Sequence, residues 1–214
     1  MKNETLKRIL SSLILIPIAF FFILKGSIFF IFFIFVCFLI TSYEWHMMSK
    51  KKSYYLLGFI FLILSFLSAF IIRNDFIHNF ILIILICIST DIGGYTFGKL
   101  FKGPKLTKIS PNKTYSGMIG SFFLSIISVL LYESYVNNGN NPFWNSYWPE
   151  HKLLIYAILI SFVSQIGDLV ISYFKRKSKI KNTGKIIPGH GGLLDRVDGM
   201  IFAIPFAFIL FKLL

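Results

Sequence analysis

The sequence predicts an all-α, polytopic membrane bundle of about seven transmembrane helices with a cytoplasmic amino terminus. Three observations lead there. The 214 residues are 56% hydrophobic and 18% aromatic but only 14% charged, with a mean hydropathy of +0.73. A soluble domain carries roughly 25% charged residues, so this chain cannot cover itself with polar surface in water. The apolar residues fall in long runs, and the basic residues lie between alternate runs.

The runs are Ile9–Leu24, Ile28–Ile40, Tyr54–Ile72, Phe76–Thr90, Met118–Val136, Leu153–Phe174 and Met200–Leu214. Crossing the hydrocarbon core takes roughly 20 apolar residues. The third, fifth and sixth runs satisfy this. The first two are short, and Pro17 interrupts the first, so they are expected to form a tight hairpin or a partly re-entrant pair. The fourth spans only if its helix continues into the glycine-rich stretch behind it. Lys7 and Arg8 precede the first run as in a signal peptide. No small-x-small cleavage site follows, and an uncleaved first span is expected.

Lys and Arg gather on the cytoplasmic side of membrane proteins. The amino terminus, Thr41–Ser53, Asp91–Gly117 and Lys175–Asp198 hold 3, 3, 5 and 7 of them, whereas the intervening side has only Lys25, Arg73, Lys152 and Lys212. Strict alternation requires an odd number of crossings. The net charge of +13 is thereby concentrated on one face, toward anionic lipid. Nucleic-acid binding is not expected, because aromatic residues are not interleaved with this charge. Asn137–Glu150 reads as an outward loop with Trp144, Tyr147 and Trp148 at headgroup level. Cys37 and Cys87 lie in apolar runs without metal or CxxC spacing and read as packing residues. Residues 1–90 are expected to form amino-terminal spans and 91–214 a catalytic region with two basic cytoplasmic loops, within one membrane domain.

Nine carboxylates occur in the whole chain. An Asp at the centre of a spanning helix costs about 2.5–3.5 kcal/mol on insertion scales, so such residues are functional candidates. Asp168 is the clearest. Ser161, Ser164, Gln165, Asp168, Ser172 and Lys175 recur at intervals of three and four, a stripe that must face protein or water. A polar helix–helix contact would account for the serines and Gln165 equally well. Asp195 and Asp198 share a face if the chain is helical from Leu193 onward. Two such carboxylates repel unless a cation or a proton intervenes. Mg²⁺, with water and a phosphate-bearing substrate, suits oxygen-only ligands; pairing with Arg196 and upstream lysines is the alternative.

Two segments have the composition of a polyphosphate site. In the first, Asp91 to Gly117, Gly93–Lys99 has the spacing of a nucleotide-binding P-loop. Leu100 stands where Ser or Thr must bind Mg²⁺, and the stretch follows a membrane helix. A helix continuing out of the bilayer, with glycines for close packing, is the better reading. The second runs from Ser172 through Lys175-Arg176 and Lys181-Asn182-Thr183-Gly184 to Pro188-Gly-His-Gly-Gly192 and Asp195-Arg196-Val-Asp198. Cations and free backbone N–H groups can hold phosphates, and the carboxylates a metal.

These residues resemble the signature of the phosphatidate cytidylyltransferases, S-x-x-K-R, four residues, K-D-x-G, then P-G-H-G-G-x-x-D-R-x-D. Ser172, Lys175, Arg176, Lys181, Gly184, Pro188, Gly189, His190, Gly191, Gly192, Asp195, Arg196 and Asp198 all fall in register. Asp91, Tyr95, Gly98, Lys99, Ile109-Ser110-Pro111, Lys113-Thr114 and Gly167-Asp168 extend the similarity over residues 91–214. Asn182 departs from it, standing where the family has Asp and removing a charge.

The resemblance implies CTP and phosphatidic acid as substrates, CDP-diacylglycerol and pyrophosphate as products, and Mg²⁺ as cofactor, with a second, monovalent ion left open. It implies that Asp168 and Asp195, supported by Asp198, hold the metal and that Lys175, Arg176, Lys181 and Arg196 neutralise phosphates. Ser172, Asn182 and Pro188–Gly192, His190 included, would line the nucleotide. Asp91, Lys113 and Thr114 would form a second tier. The setting would be a bilayer, the inner membrane in a bacterium, with a cytoplasm-facing site. Oligomeric state is open, a homodimer included. The alternatives are a CTP-dependent polyprenol or phytol kinase, and a carrier of anionic metabolites with Asp168 as its proton site.

Overall fold

The computed structural model describes residues 2–50, 52–107, 109–137, 150–189 and 191–213. These form the helices α1 (Lys2–Lys25), α2 (Ser27–Ser49), α3 (Tyr55–Asp75), α4 (Ile77–Phe101), α5 (Tyr115–Asn137), α6 (Glu150–Lys177) and α7 (Leu194–Leu213). Among the described residues β-structure is limited to two isolated bridges, Lys105 with Thr114 and Ile187 with Gly191. The helices α2 to α6 each contain a stretch long and apolar enough to cross a membrane, and α1 adds the shorter Leu10–Lys25. Large apolar side chains such as Leu13, Ile28, Leu57 and Leu131 are exposed, as a lipid-facing surface requires. The expected Trp144–Trp148 belt lies outside the described residues.

Every apolar run of the sequence is a helix, and several helices outlast their runs. The basic segment Thr41–Ser53 is not all loop, because α2 continues to Ser49. Likewise α4 runs on through Asp91 and the glycines to Phe101, so Gly93–Lys99 is helical and forms no phosphate loop. The last helix begins at Leu194, upstream of its apolar part, and carries Asp195 in its first turn.

The chain divides into two compact units, with boundaries between α3 and α4, inside α6 and inside α7. The first comprises Met1–Phe76 with Tyr173–Asp198. Here α1 and α2 form a hairpin around Gly26, whose φ of +65° is one that glycine adopts without strain. Arg73 at the end of α3 donates to Ile23 O at 2.8 and 3.0 Å, capping the open carbonyls of α1. Trp45 Nε1 donates to Tyr55 O at 3.0 Å, and the Trp45 ring packs edge-on against Phe174. Ser178 Oγ donates to Met48 O at 2.8 Å. The end of α6 is thus fastened to the end of α2.

The second unit comprises Ile77–Ser172 with Gly199–Leu214. Its helices α4 and α5 cross on glycine. A Cβ at Gly117 would stand 2.6 Å from Gly94 O, one at Gly93 would overlap the Gly120 backbone, and one at Gly120 would overlap Phe97. Small residues let helix backbones approach in lipid, where packing and hydrogen bonds replace the hydrophobic effect. Buried hydroxyls complete the contact: Thr90 Oγ1 donates to Ser161 Oγ at 2.8 Å and Ser121 Oγ to Thr90 O at 2.7 Å.

Candidate active site

The polar stripe of α6 faces protein. Ser161, Ser164 and Ser172 are buried, while Phe162 and Ile166, between them, are exposed. In the second unit Asp168 accepts from Ser172 Oγ at 3.3 Å through Oδ1. Its Oδ2 lies 2.5 Å from Lys113 Nζ, the two side chains being 30% and 24% exposed. Lys113 also donates to Gln165 O at 3.3 Å.

Lys113 is delivered by a short, internally bonded loop between α4 and α5. Leu106 N–H donates to Lys113 O at 2.8 Å and Tyr115 N–H to Pro104 O at 3.2 Å. Thr114 caps α5, its Oγ1 accepting from Gly117 N–H at 3.1 Å, an arrangement that satisfies an otherwise open helix donor. The pair expected from sequence as a second tier thus has two duties: Thr114 starts the helix and Lys113 reaches the Asp168 carboxylate. Asp91, on α4, is exposed.

In the first unit the glycine-rich segment folds around Asp195. Its Oδ1 accepts from Lys175 Nζ at 2.9 Å, and its Oδ2 accepts from the N–H groups of Thr183 at 2.8 Å and Gly192 at 3.2 Å. The pair is enclosed, with side-chain exposures of 12% for Lys175 and 6% for Asp195. The turn between Ile187 and Gly191 is closed by reciprocal backbone bonds of 2.9 and 3.1 Å. Gly189 and Gly191 hold φ of +76° and +94° there, values costly for any side-chain-bearing residue. Arg176, Lys181, Asn182, Pro188 and Arg196 are exposed, with Asp198 partly so. His190 lies outside the described residues.

One participant escapes the sequence reading. Glu44, near the end of α2, is 1% exposed, and its carboxylate accepts from Leu193 N–H at 3.0 Å, Leu194 N–H at 2.8 Å and Thr183 Oγ1 at 3.0 Å. An acid beside an apolar run was its only sequence signal.

Mg²⁺ takes hard oxygen ligands, and the donor chemistry here suits it. Asp168 already faces a cation, and its partial exposure leaves it reachable. Asp195 offers the same oxygens, but a metal at Oδ1 would take the place of the Lys175 ammonium. Among the described residues no three His, Cys, Asp or Glu side chains are grouped as a ready-made metal set.

Spanning helices, two carboxylate–ammonium pairs and a glycine-rich turn make this a polytopic membrane protein with paired charges at its candidate site. Residues 50–214 match the model of the cytidylyltransferase family, and the chain belongs to that family. It is similar to the phosphatidate cytidylyltransferase of Rickettsia bellii, 34% identical over 216 residues that cover 98% of this chain and 91% of the relative. The enzyme of that name from Rickettsia typhi is 38% identical over 77% of this chain and 73% of its own length. The one from Staphylococcus saprophyticus is 35% identical over 81% of this chain, which spans 65% of that protein.

Proposed function

We propose that this chain transfers the cytidylyl group of CTP to phosphatidate, releasing pyrophosphate and forming CDP-diacylglycerol. Family membership, together with a reachable pair of a spanning-helix carboxylate and a loop lysine, Asp168 with Lys113, supports this reading. An oxygen of the lipid phosphate attacks the α-phosphorus of CTP. The bond from that phosphorus to the bridging oxygen breaks, and pyrophosphate leaves with the electron pair. A phosphate monoester is largely ionised at neutral pH, so the attack needs no dedicated base. What opposes reaction is the meeting of two anions, and the protein must supply positive charge.

Lys175, Arg176, Lys181 and Arg196 supply it in the first unit, and Lys113 in the second. Lys113 and Lys175 rest on carboxylates and are therefore held in place before substrate arrives. The 188–192 turn, with His190, and Ser172, Asn182, Asp91 and Thr114 are assigned to substrate contact. Asp168 in one unit, and Asp195 with Asp198 in the other, are the carboxylates assigned to Mg²⁺, which when bound would neutralise phosphate charge and polarise the α-phosphoryl oxygen. The excess of Lys and Arg in these segments supports a cytoplasmic position for this chemistry, where a soluble nucleotide and a lipid headgroup can meet.

The test is incubation of purified protein with CTP labelled at the α-phosphate, phosphatidic acid and Mg²⁺. Label should enter the organic phase with equimolar pyrophosphate. Formation of CDP with no label in lipid would instead mean transfer of the γ-phosphate, and anion uptake by sealed vesicles without nucleotide would mean a carrier.

A further inference from the structure

Glu44 lies outside the stretch matched by the family model, residues 50–214, yet its carboxylate is the centre on which the glycine-rich segment is assembled. A buried carboxylate is costly unless its oxygens are satisfied. Here Oε1 takes Leu193 N–H, while Oε2 takes Leu194 N–H and the Thr183 hydroxyl. The two N–H groups belong to the start of α7, where open donors and the helix dipole favour an anion.

Two glycines of the segment are explained by the same side chain. A Cβ on Gly184 would lie 2.5 Å from Glu44 Oε1, and one on Gly192 would overlap the Thr183 hydroxyl that Glu44 holds and lie 2.5 Å from Glu44 Oε2. Neither has the positive φ of Gly189 and Gly191, so they are small to admit Glu44, not to make a turn. Thr183 is held twice, by its hydroxyl on Glu44 and by its N–H on Asp195 Oδ2 at 2.8 Å. Gly192 N–H also reaches Asp195. The stretches 182–184 and 191–194 are therefore clamped between two carboxylates, one from α2 and one from α7, and Asp195 in turn holds Lys175.

We infer that Glu44 is a positioning residue for cytidylyl transfer: it sets the distance between the two stretches and with it the placement of Lys181, Asn182 and the 188–192 turn toward the nucleotide. The inference rests on the cytidylyltransferase reading above. In Glu44→Gln one N–H or hydroxyl donor must face an amide N–H₂, so the clamp opens with side-chain volume unchanged.

The experiment measures kcat and KM for CTP and for phosphatidate in Glu44→Gln and Thr183→Val, beside the wild-type chain. Glu44→Gln should raise KM for CTP by about tenfold, the scale of one lost hydrogen bond to a charged group. KM for phosphatidate should stay within about twofold. Thr183→Val, which removes one bond to the same carboxylate and keeps the shape, should show the same split at a similar scale, about tenfold. Equal change in both KM values, or none, in an active preparation would overturn the role of Glu44 alone. Should Glu44→Gln fail to accumulate in the membrane, Thr183→Val decides by the same criterion. A wild-type chain that makes no CDP-diacylglycerol would remove the enzymatic reading and the positioning role together.

Discussion

The ammonium of Lys113 lies 2.5 Å from Oδ2 of Asp168, so a loop between two membrane helices is tied to a carboxylate on a third. Neither residue is fully enclosed, so Lys113 stays within reach of an incoming phosphate and Asp168 within reach of a cation. Asp168→Asn keeps the Ser172 contact but loses the charge that attracts a cation. Turnover should fall at least a hundredfold, the scale for losing a key electrostatic group, with the protein inserted at wild-type levels. Label transfer from CTP to lipid, scored against membrane content, measures this; near-normal product would remove Asp168 from the chemistry.

The Lys175–Asp195 pair is more deeply enclosed, and breaking it leaves one charge buried. Lys175→Met should lower the thermal midpoint in detergent, a loss of about 3–5 kcal/mol being typical of an orphaned buried ion. Lys175→Met combined with Asp195→Asn should recover part of that stability while remaining inactive. Recovery of activity in the double variant would show that the pair serves only folding.

Where α4 crosses α5, space and not charge is limiting. Gly120→Val must displace Phe97 or separate the helices, and overpacking of this kind costs about 1–3 kcal/mol or more. The variant should lose thermal stability, and Gly120→Ala should lose less. Circular dichroism melts in detergent would rank the two, and equal melting of both with wild type would contradict the close crossing.

Lys99, Lys102 and Lys105 are exposed, and Lys99 sits over the Tyr95 ring at 5.7 Å. Exposed lysines attract anions over a Debye length and are screened by salt. Replacing all three by Ala should raise apparent KM several-fold at low ionic strength, leave kcat within about twofold, and lose its effect in high salt. A collapse of kcat like that of Asp168→Asn would move this cluster into the reaction itself.

Helix number and helix order are legible in the chain because lipid imposes a simple rule. Backbone groups must be satisfied within each span, so apolar length alone marks a helix. The stripe around Asp168 is legible for the same reason, since a polar face cannot meet acyl chains. Helix ends are less so: α2 extends to Ser49 in a charged stretch where hydropathy is silent, whereas the continuation of α4 through its glycines is read from the chain. Gly93 reads as a packing glycine within its stretch, but its partner Gly120, and the approach of Gly117 to Gly94, required the α4–α5 crossing.

The sequence by itself determined a membrane bundle, its basic segments and the few carboxylates and cations available to a site, because charge and hydropathy act on each residue independently of its distant neighbours. Only the tertiary structure decided which cation meets which carboxylate: Lys113 with Asp168, Lys175 with Asp195. It also decided that Glu44, 139 residues from Thr183 along the chain, closes the glycine-rich segment. A hydrogen bond between groups so far apart leaves no periodicity in the sequence, because it depends on where two helices end in space.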